Sequence, residues 1–139
     1  MEIRPFEAQD EAAVIQLWQR AGLTRPWNDP ARDIRRKLQV QPEWFLVGLV
    51  DDRLVASVMA GFDGHRGWIN YLAVDPDDQR RGFGRMIMMH AERLLHNFGC
   101  PKINLQIRRD NVQAAAFYES LGFSEDAVVS YGKRLIPDD

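Results

Sequence analysis

The residues with the clearest chemical potential lie where a predicted strand gives way to a predicted helix. Their sequence is Gln79-Arg80-Arg81-Gly82-Phe83-Gly84-Arg85. The first turn of a helix leaves up to about four backbone N–H groups unpaired and carries a partial positive charge. Glycine lets an anion approach such N–H groups without a Cβ in the way, and the arginines add positive charge. The stretch therefore predicts a binding loop for a diphosphate group.

Other interpretations of this loop are tested by comparing it with known phosphate-binding patterns. In the simplest alternative, Gly82 and Gly84 only begin a helix that packs against a sheet. A dinucleotide-binding pattern needs a third glycine where Ile87 stands, and its strand-to-helix turn is shorter. A P-loop does not fit either, because Gly132-Lys133 lacks the glycine spacing and the Ser or Thr that follows. Two interpretations of the stretch therefore remain: a diphosphate-binding loop, or the start of a helix with no ligand.

Hydrophobic periodicity predicts the elements that hold this loop. Strands are predicted at 3–6, 44–50, 54–62, 68–74 and 102–107, with an extended segment at 123–136 that forms one bent strand or two. Helices are predicted at about 10–21, from 30 onward, at about 83–98 and at 111–121. Strand 68–74 does not alternate, so we expect burial on both of its faces. A helix joins it to strand 102–107, so we expect these two strands to be parallel in a mixed-sheet α/β (α+β) domain.

The composition excludes several classes of protein. A length of 139 residues fits one domain. Lys and Arg total 18 and Asp and Glu total 20, and this net charge of −2 argues against a nucleic-acid partner. The single cysteine, Cys100, excludes an internal disulfide and a multi-cysteine zinc site. No stretch approaches the roughly 18–20 apolar residues of a membrane span or resembles a signal peptide, so we expect a cytoplasmic protein without a membrane partner.

The diphosphate loop and a second motif resemble one known family. The acyl-CoA pyrophosphate loop of the GNAT (Gcn5-related N-acetyltransferase) superfamily, Gln/Arg-x-x-Gly-x-Gly/Ala, is similar to Gln79-Arg80-Arg81-Gly82-Phe83-Gly84. The family's late helix is similar to Asn111-x-x-Ala114-x-x-Phe117-Tyr118-Glu119-x-Leu121-Gly122-Phe123. The order of predicted elements from residue 3 to residue 136 also matches, so the resemblance covers nearly the whole chain.

A narrower resemblance is to small bacterial GNAT proteins of the YpeA type, which are similar to the ribosomal-protein N-terminal acetyltransferase branch. The segments that carry it are Pro26-Trp27-Asn28-Asp29-Pro30, Asp63-Gly64-His65-Arg66-Gly67 and Gly99-Cys100-Pro101-Lys102-Ile103. The resemblance implies a single N-acetyltransferase domain at residues 1–139. We expect a mostly antiparallel sheet of six or seven strands flanked by four helices, with one parallel pair of strands that splays apart.

The resemblance also implies acetyl-CoA as the co-substrate, without a metal. Backbone groups of Leu72, Ala73 and Val74 are expected to bind the pantetheine arm like an added strand. A backbone N–H near Leu72 is expected to polarise the thioester carbonyl. Asn111 is expected to cap its helix and to lie near the CoA arm. The diphosphate itself is expected to bind to the loop from Gln79 to Arg85.

The chemistry implied by the resemblance is direct attack of a primary amine on the acetyl thioester, with Tyr118 as the general acid. A thiol has a pKa near ~8.5 and a tyrosine near ~10, so a neutral tyrosine hydroxyl can protonate the departing thiolate at pH 7. Without the resemblance, the preferred interpretation of Tyr118 is a core aromatic, because it lies on an apolar helical stripe.

The general base is the point at which the chain departs from related N-terminal acetyltransferases. They often carry a Glu in a segment like Leu-Glu-Val-Arg, whereas Gln106 stands in the matching stretch here. Asp63 and His65 are candidates for a water-mediated base, although Asp63-Gly64 also suits an ordinary hairpin turn. A lysine side chain needs roughly 4–5 kcal/mol to become neutral at pH 7 and an α-amine only about 1, so a weak base favours α-amines.

The acceptor is expected to lie against the first two helices and the loop between them. Trp27, Asn28 and Asp29 are the candidate substrate residues. The basic run at 32–37 is preferably a solvated face with internal ion pairs, and a site for an acceptor's carboxylate or phosphate is the alternative. The acceptor is either a small amine or amino acid, or a protein N-terminus. A non-catalytic acyl-CoA-binding or sensing domain remains the alternative function, and the chain is expected to be a monomer or homodimer.

Overall fold

The structure is a computed structural model and describes residues 1–138. Within these residues five strands form one sheet in the order β1-β2-β3-β4-β5. The strands are β1 Glu2–Pro5, β2 Phe45–Val50, β3 Arg53–Phe62, β4 Gly67–Val74 and β5 Ile103–Leu105. The described α-helices are α1 Glu11–Arg20, α2 Pro30–Lys37, α3 Phe83–Phe98 and α4 Val112–Ser120. The predicted order of elements is confirmed as far as α4.

Helix α2 begins where its sequence provides a cap. The side chain of Asp29 accepts hydrogen bonds from the backbone N–H groups of Ala31 at 2.9 Å and Arg32 at 3.3 Å. Pro30 occupies the first helical position, where a missing N–H leaves no hydrogen bond unmade. Ile34 is the buried residue of this short helix and fixes its packing against the sheet.

The β2–β3 hairpin is closed by a two-residue turn. Val50 pairs with Arg53, and both intervening residues, Asp51 at 50° and Asp52 at 62°, have positive φ. A turn with two positive φ values matches the right-handed twist of the strands, and Asp tolerates this conformation better than most residues. The strands predicted at 44–50 and 54–62 are thus joined as a tight hairpin.

The sheet has an apolar core on each face. One core lies between the sheet and α3 and includes Leu46, Val58, Ile69, Ile87 and Leu95. The other lies beneath α1 and α2 and includes the buried side chains Leu17, Trp18, Ile34, Phe45 and Val47. Burial of side chains of this size supplies most of the driving force for folding. The sheet is therefore packed on both faces along most of its length.

The parallel pair of strands is confirmed, and the two strands separate after a short contact. Pairing runs from Gly67 with Ile103 to Ile69 with Leu105. β5 then ends, while β4 continues to Val74. Strand β5 is thus shorter than the predicted 102–107, because its later residues no longer have a β4 partner. The end of β4 is left with one side open.

The expected total of six or seven strands is wrong for residues 1–138, because the segment after α4 does not join the sheet. Side chains hold this segment near β5: Lys102 Nζ donates to Asp126 at 2.8 Å, and the side-chain amide of Gln106 donates to Ser130 Oγ. Its apolar side chains are largely exposed, including Val128 and Leu135. No buried face fixes the register of a further strand.

The expectation that β4 is buried on both faces is also wrong. Trp68 is 37% exposed and Asn70 is exposed, whereas Gly67 and Ile69, which alternate with them, are buried. The helices α1 and α2 cover the later part of the strand, at Tyr71 and Ala73. The first half of β4 therefore has one open face.

Within residues 1–138, no helix combines the length and apolar character that crossing a membrane requires.

Candidate active site

The loop between β4 and α3 is anchored by two carboxylates. The buried Asp78 side chain accepts hydrogen bonds from both terminal nitrogens of Arg53, at 2.7 and 2.9 Å, and from Arg81 at 3.0 Å. The hydrogen bond from Arg53 lowers the pKa of Asp78. Asp75 accepts a bidentate pair from Arg20 at 2.8 and 3.1 Å. The Arg81 side chain thus stabilises the loop itself, while Arg80 remains exposed.

The same loop turns sharply just before α3. Arg80 has a φ of 67° and Gly82 a φ of 80°, so two residues of the loop are left-handed. Gly82 is the N-cap of α3, and within residues 1–138 neither a side-chain cap nor an acidic residue in the first turn neutralises the helix N-terminus. A helix N-terminus without an internal anion is suited to an external one.

Gly84 is required for packing as well as for access. A Cβ at this position would lie 3.2 and 3.3 Å from the Phe117 ring and 3.6 Å from Val74. The missing side chain therefore lets α4 pack against the start of α3 and the end of β4. Arg85 adds a second link, since its guanidinium donates to the carbonyl oxygen of Ser120 at 3.2 Å. The two matched motifs are brought together by these contacts.

Tyr118 lies on α4 beside Phe117. Its ring makes edge-to-face contacts with Phe117 at 5.2 Å and with Phe123 at 5.6 Å between ring centroids. Burial raises the pKa of the hydroxyl to about 12. No hydrogen bond to this hydroxyl is formed within residues 1–138. Tyr118 also lines an open cleft whose wall includes Leu105 and Asn111.

Asn111 caps α4, as the sequence predicts. Its Oδ1 accepts a hydrogen bond from the N–H of Ala114 at 3.0 Å. Asn111 is exposed, so one side of this cap is open to solvent. The helix that carries Tyr118 therefore has a defined start next to the end of β5.

A bulge interrupts β4 where it separates from β5. The pairs that bracket it are Ser57 with Ala73 and Met59 with Asn70. Tyr71 and Leu72 therefore lie opposite the single residue Val58. Tyr71 has a φ of 52°, in the left-handed region. The bulge also reverses which side chains face α3: Ile69 does so before it, and the partly buried Leu72 and Val74 after it.

Asp63 and His65 lie in the β3–β4 turn. One Asp63 oxygen accepts from the N–H groups of His65 at 2.8 Å and Arg66 at 2.7 Å, and the other accepts from Trp68 Nε1 at 3.1 Å. These bonds lower the pKa of Asp63 to about 2. Since β4 rises about 3.3 Å per residue, its start lies roughly 13 Å from Tyr71. This arrangement favours an ordinary hairpin turn at Asp63 over a water-mediated general base.

The loop before α2 faces the end of β5. Trp27 is 50% exposed, and the guanidinium of Arg108 lies over its ring, 5.6 Å from the centroid. Asn28 Oδ1 accepts a hydrogen bond from Arg134 at 2.7 Å. Asp29 is the α2 cap described above. The three candidate substrate residues thus adjoin β5 and the C-terminal segment, and Arg108 is a neighbour that the sequence patterns did not single out.

The basic run on α2 is largely engaged within the chain. Arg36 donates to Asp33 at 2.9 Å and to Asp138 at 2.6 and 3.1 Å. Lys37 Nζ donates to the carbonyl oxygen of Ala60 at 2.6 Å. Arg32 lies 3.7 Å from Asp29. The interpretation of this run as a helix face with internal pairs is the one that these contacts favour.

Sequence reasoning missed Tyr71, which is the most constrained residue of β4. In the sequence it resembles an ordinary strand aromatic, and no local pattern indicates a positive φ. Its environment is assembled from α1, α2 and β3, which are distant in sequence.

Within residues 1–138, no group of three or more His, Cys, Asp or Glu side chains is arranged to hold a metal ion.

Comparison with known proteins gives the family of this chain. The model of the acetyltransferase (GNAT) family matches residues 12–123. An acetyltransferase of Yersinia enterocolitica is 47% identical over 138 residues, covering 99% of this chain and 98% of the relative. Ard1 from Thermoplasma volcanium is 28% identical with a TM-score of 0.82, covering 91% of this chain and 84% of that one.

A third similar protein is the ribosomal-protein-S18-alanine N-acetyltransferase from Escherichia coli. It is 29% identical with a TM-score of 0.76, covering 91% of this chain and 79% of that one. The family model spans most of the chain, and the Yersinia relative matches it almost from end to end. The chain belongs to the GNAT family and is an acyl-CoA-dependent N-acetyltransferase.

Proposed function

We propose that this enzyme transfers an acetyl group from acetyl-CoA to an α-amine by direct attack. The loop 79–85, the end of β4 and α4 form the donor side of the site. The loop 24–30, α2 and Arg108 form the acceptor side. We also propose that residues 1–139 act as one domain, because the sheet and its two cores involve elements from both ends of the family match.

The observation that carries this proposal is the contact of Gly84 with Phe117, the neighbour of Tyr118. It puts the uncapped N-terminus of α3 beside the helix that carries the candidate acid. A diphosphate on the N–H groups of Gly82, Phe83 and Gly84 leaves the pantetheine arm to run into the gap between β4 and β5. The exposed Gln79 and Arg80 and the nearby Arg85 add donors and positive charge at the mouth of this gap.

The gap supplies main-chain partners for the pantetheine arm. Beyond Ile69, β4 has lost its parallel neighbour, so the N–H and C=O groups of Leu72 and Val74, which point away from β3, are available on that side, whereas those of Ala73 face its partner Ser57. Amide groups of the arm pair with them as an added strand would. The N–H of Leu72, at the bulge, then donates to the thioester carbonyl and stabilises the oxyanion as the amine attacks. Asn111 lies at the start of α4, near the sulfur end of the arm.

Tyr118 completes the reaction as the general acid. With a pKa of about 12 its hydroxyl stays protonated at neutral pH. A thiolate with a conjugate-acid pKa near ~8.5 is stabilised by a hydrogen bond from this hydroxyl as it departs. As the C–N bond forms and the C–S bond breaks, the Tyr118 proton passes to sulfur. The proton that the amine nitrogen loses returns through water to Tyr118, so that amide and free thiol are released and the tyrosine is neutral again. Burial therefore keeps the acid in its donor form until the thiolate forms.

The preference for α-amines follows from the lack of a carboxylate at Gln106. Asp63 is saturated by hydrogen bonds and lies at the far end of β4, so we do not assign it the base role. Deprotonation of an α-amine at pH 7 costs only about 1 kcal/mol, so such an acceptor does not need a strong base. Deprotonation of a lysine side chain costs roughly 4–5 kcal/mol. The Escherichia coli relative is named for an alanine of ribosomal protein S18. Both an amino acid and a protein N-terminus present an α-amine.

An acceptor screen tests the proposal. Acetyl-CoA is mixed with the protein and with single amines: amino acids, peptides with free N-termini and Nα-blocked peptides that contain lysine. Release of free thiol is followed. Turnover is expected with free α-amines at neutral pH and is expected to be at least tenfold slower with the Nα-blocked lysine peptides. Faster turnover with the blocked lysine peptides, or none with any α-amine, contradicts the proposal.

A further inference from the structure

Tyr71 adopts a backbone conformation that its own chemistry does not favour. Its φ of 52° places a bulky aromatic residue in the left-handed region. Such a residue stays there only when its surroundings hold it, and strained residues of this kind are concentrated at functional sites. The contacts around Tyr71 must therefore hold its backbone in this conformation.

The side chain of Tyr71 is held by α1 and by α2, the helix of the acceptor side. Its ring stacks on Trp18 of α1, with the centroids 3.8 Å apart and the planes 15° from parallel. Its hydroxyl donates to Asp33 Oδ2 of α2 at 2.6 Å. Burial, together with this hydrogen bond, raises the pKa of the Tyr71 hydroxyl, so the hydroxyl remains a donor across the neutral range.

The carbonyl group of Tyr71 is held from the opposite side, by β3. Ser57 Oγ donates to this carbonyl oxygen at 2.9 Å and itself accepts from Trp18 Nε1 at 2.9 Å. Ser57 and Trp18 are both fully buried. Trp18 thus holds Tyr71 directly, by ring stacking, and indirectly, through the hydrogen bonds of Ser57. We call the four residues Trp18, Asp33, Ser57 and Tyr71 the Tyr71 brace.

The brace fixes the direction of a neighbouring N–H group. The carbonyl of Tyr71 and the N–H of Leu72 belong to one peptide, which is planar and trans. In a trans peptide the C=O and N–H bonds point in opposite directions. Because the carbonyl is held toward Ser57, the N–H of Leu72 points away from Ser57. This is the N–H that the proposed function assigns to the oxyanion.

We propose that Tyr71 is a positioning residue for acetyl transfer: the brace sets the peptide between Tyr71 and Leu72 so that its N–H meets the thioester carbonyl. The inference rests on the proposed function, which supplies the role of that N–H. Asp33 lies on α2, four residues after the Asp29 cap. The brace therefore links the helix that carries the acceptor side to the peptide that polarises the donor.

Infrared spectroscopy of bound acetyl-CoA labelled with carbon-13 at the carbonyl tests this inference without any acceptor. Hydrogen bonding lowers the stretching frequency of a thioester carbonyl. Wild-type protein is expected to shift the band to lower frequency, and Tyr71→Phe, which keeps the ring but loses the bond to Asp33, is expected to return it toward the free value. With an α-amine acceptor, kcat should fall about tenfold, less than the full loss of an oxyanion donor, with an unchanged KM for acetyl-CoA.

Matched variants separate positioning from folding. Asp33→Asn keeps an oxygen that accepts from Tyr71 and should retain the shifted band, whereas Asp33→Ala should lose it. Tyr131→Phe removes a hydroxyl from a side chain that is 92% exposed and should leave band and kcat unchanged. Thermal unfolding confirms that each variant is folded at the assay temperature.

The outcomes distinguish the inference from the proposed function on which it rests. If wild-type protein does not bind acetyl-CoA, or binds it without a shifted band, the assignment of the Leu72 N–H fails and the inference fails with it. If wild-type protein shifts the band and Tyr71→Phe shifts it equally, the proposed function stands and the inference is wrong.

Discussion

The proposed donor side and the proposed acceptor side are held by different kinds of contact. On the donor side, a positive φ at Gly82 and the missing side chain of Gly84 set the loop and bring α4 against α3. On the acceptor side, side chains from distant segments meet: Arg134 reaches Asn28 across 106 positions, and Arg36 pairs with Asp138 across 102. The proposed donor side thus depends on close approach of the main chain at two glycines, whereas the proposed acceptor side depends on polar side chains that are far apart in sequence.

This difference affects how easily each side changes. Exposed ion pairs contribute little to stability and are weakened further by salt, so the acceptor side can exchange partners at a small free-energy cost. A close packing contact at a glycine does not tolerate substitution in the same way. We therefore expect substitutions on the donor side to reduce binding or turnover strongly, and those on the acceptor side to adjust specificity.

The largest expected effect is that of Tyr118→Phe on the donor side. Loss of the proposed general acid should lower kcat by about 10²-fold, the lower end of the usual contribution of such a group. The KM for acetyl-CoA should hardly change, because the ring contacts with Phe117 and Phe123 are kept. Steady-state rates of thiol release measure both quantities. An unchanged kcat would remove Tyr118 from the mechanism.

Gly84→Ala should have the next largest effect. The added Cβ meets the Phe117 ring at 3.2 Å, so we expect unfolding free energy to fall by about 1–3 kcal/mol and CoA binding to weaken. Denaturant titration and calorimetry measure these changes. Gly132→Ala is the control, because a Cβ there meets no atom within 4 Å. Combining Gly84→Ala with Phe117→Leu should restore part of the loss, and equal effects of the two glycine substitutions would contradict the packing argument.

Arg108→Ala should have a smaller effect, confined to the acceptor side. Loss of its contact with the Trp27 ring removes about 0.5–1 kcal/mol, so the KM for the acceptor should change two- to fivefold, roughly, with an unchanged KM for acetyl-CoA. Competing acceptors in one reaction provide the most sensitive measurement. An equal change in both KM values would show that the two sides are not separable.

The smallest effect in the neutral range is that of pH on stability. The hydrogen bonds from Arg53 to Asp78 and from Arg36 to Asp138 lower the pKa of both carboxyl groups. Their stabilising contribution is therefore complete above about pH 4, the unfolded value, and is lost as pH falls through the folded values. Burial lowers the pKa of His90, so a shallow decline of the denaturant midpoint is expected as pH falls through about 6.5, the unfolded value of a histidine. The loss of the two carboxylate contributions should add a steeper fall below about pH 4. Asp78→Asn should flatten that steeper fall, and an equally steep fall in this variant would contradict the assignment.

Much of the fold could be predicted because its signals are local. Helix α3 runs from Phe83 to Phe98 as expected, since glycines with positive φ stand at both of its ends, Gly82 at 80° and Gly99 at 102°. The cap at Asn111 and the β2–β3 turn depend on short stretches of sequence for the same reason. The diphosphate loop belongs to this class, which is why the family could be identified from it.

The features that could not be predicted depend on contacts between distant segments. The bulge at Tyr71 results from packing against Trp18 and Asp33, and no neighbour of Tyr71 in the sequence indicates it. The segment after α4 has apolar residues suited to a strand, yet only side chains such as Lys102 and Gln106 hold it near β5. The exposure of Trp68 follows from where α1 ends its cover of the sheet.

The early end of β5 leaves the sheet one neighbour short beside Leu72, Ala73 and Val74. The amide hydrogens of Leu72 and Val74, which point away from β3, should exchange with deuterium quickly in the free protein and slowly once coenzyme A is bound. Ligand at 100 times its Kd should raise the global unfolding free energy by about 2.7 kcal/mol. In the proposed binding mode, the pantetheine arm thus takes the place of a missing strand, which is added and removed once in each catalytic cycle.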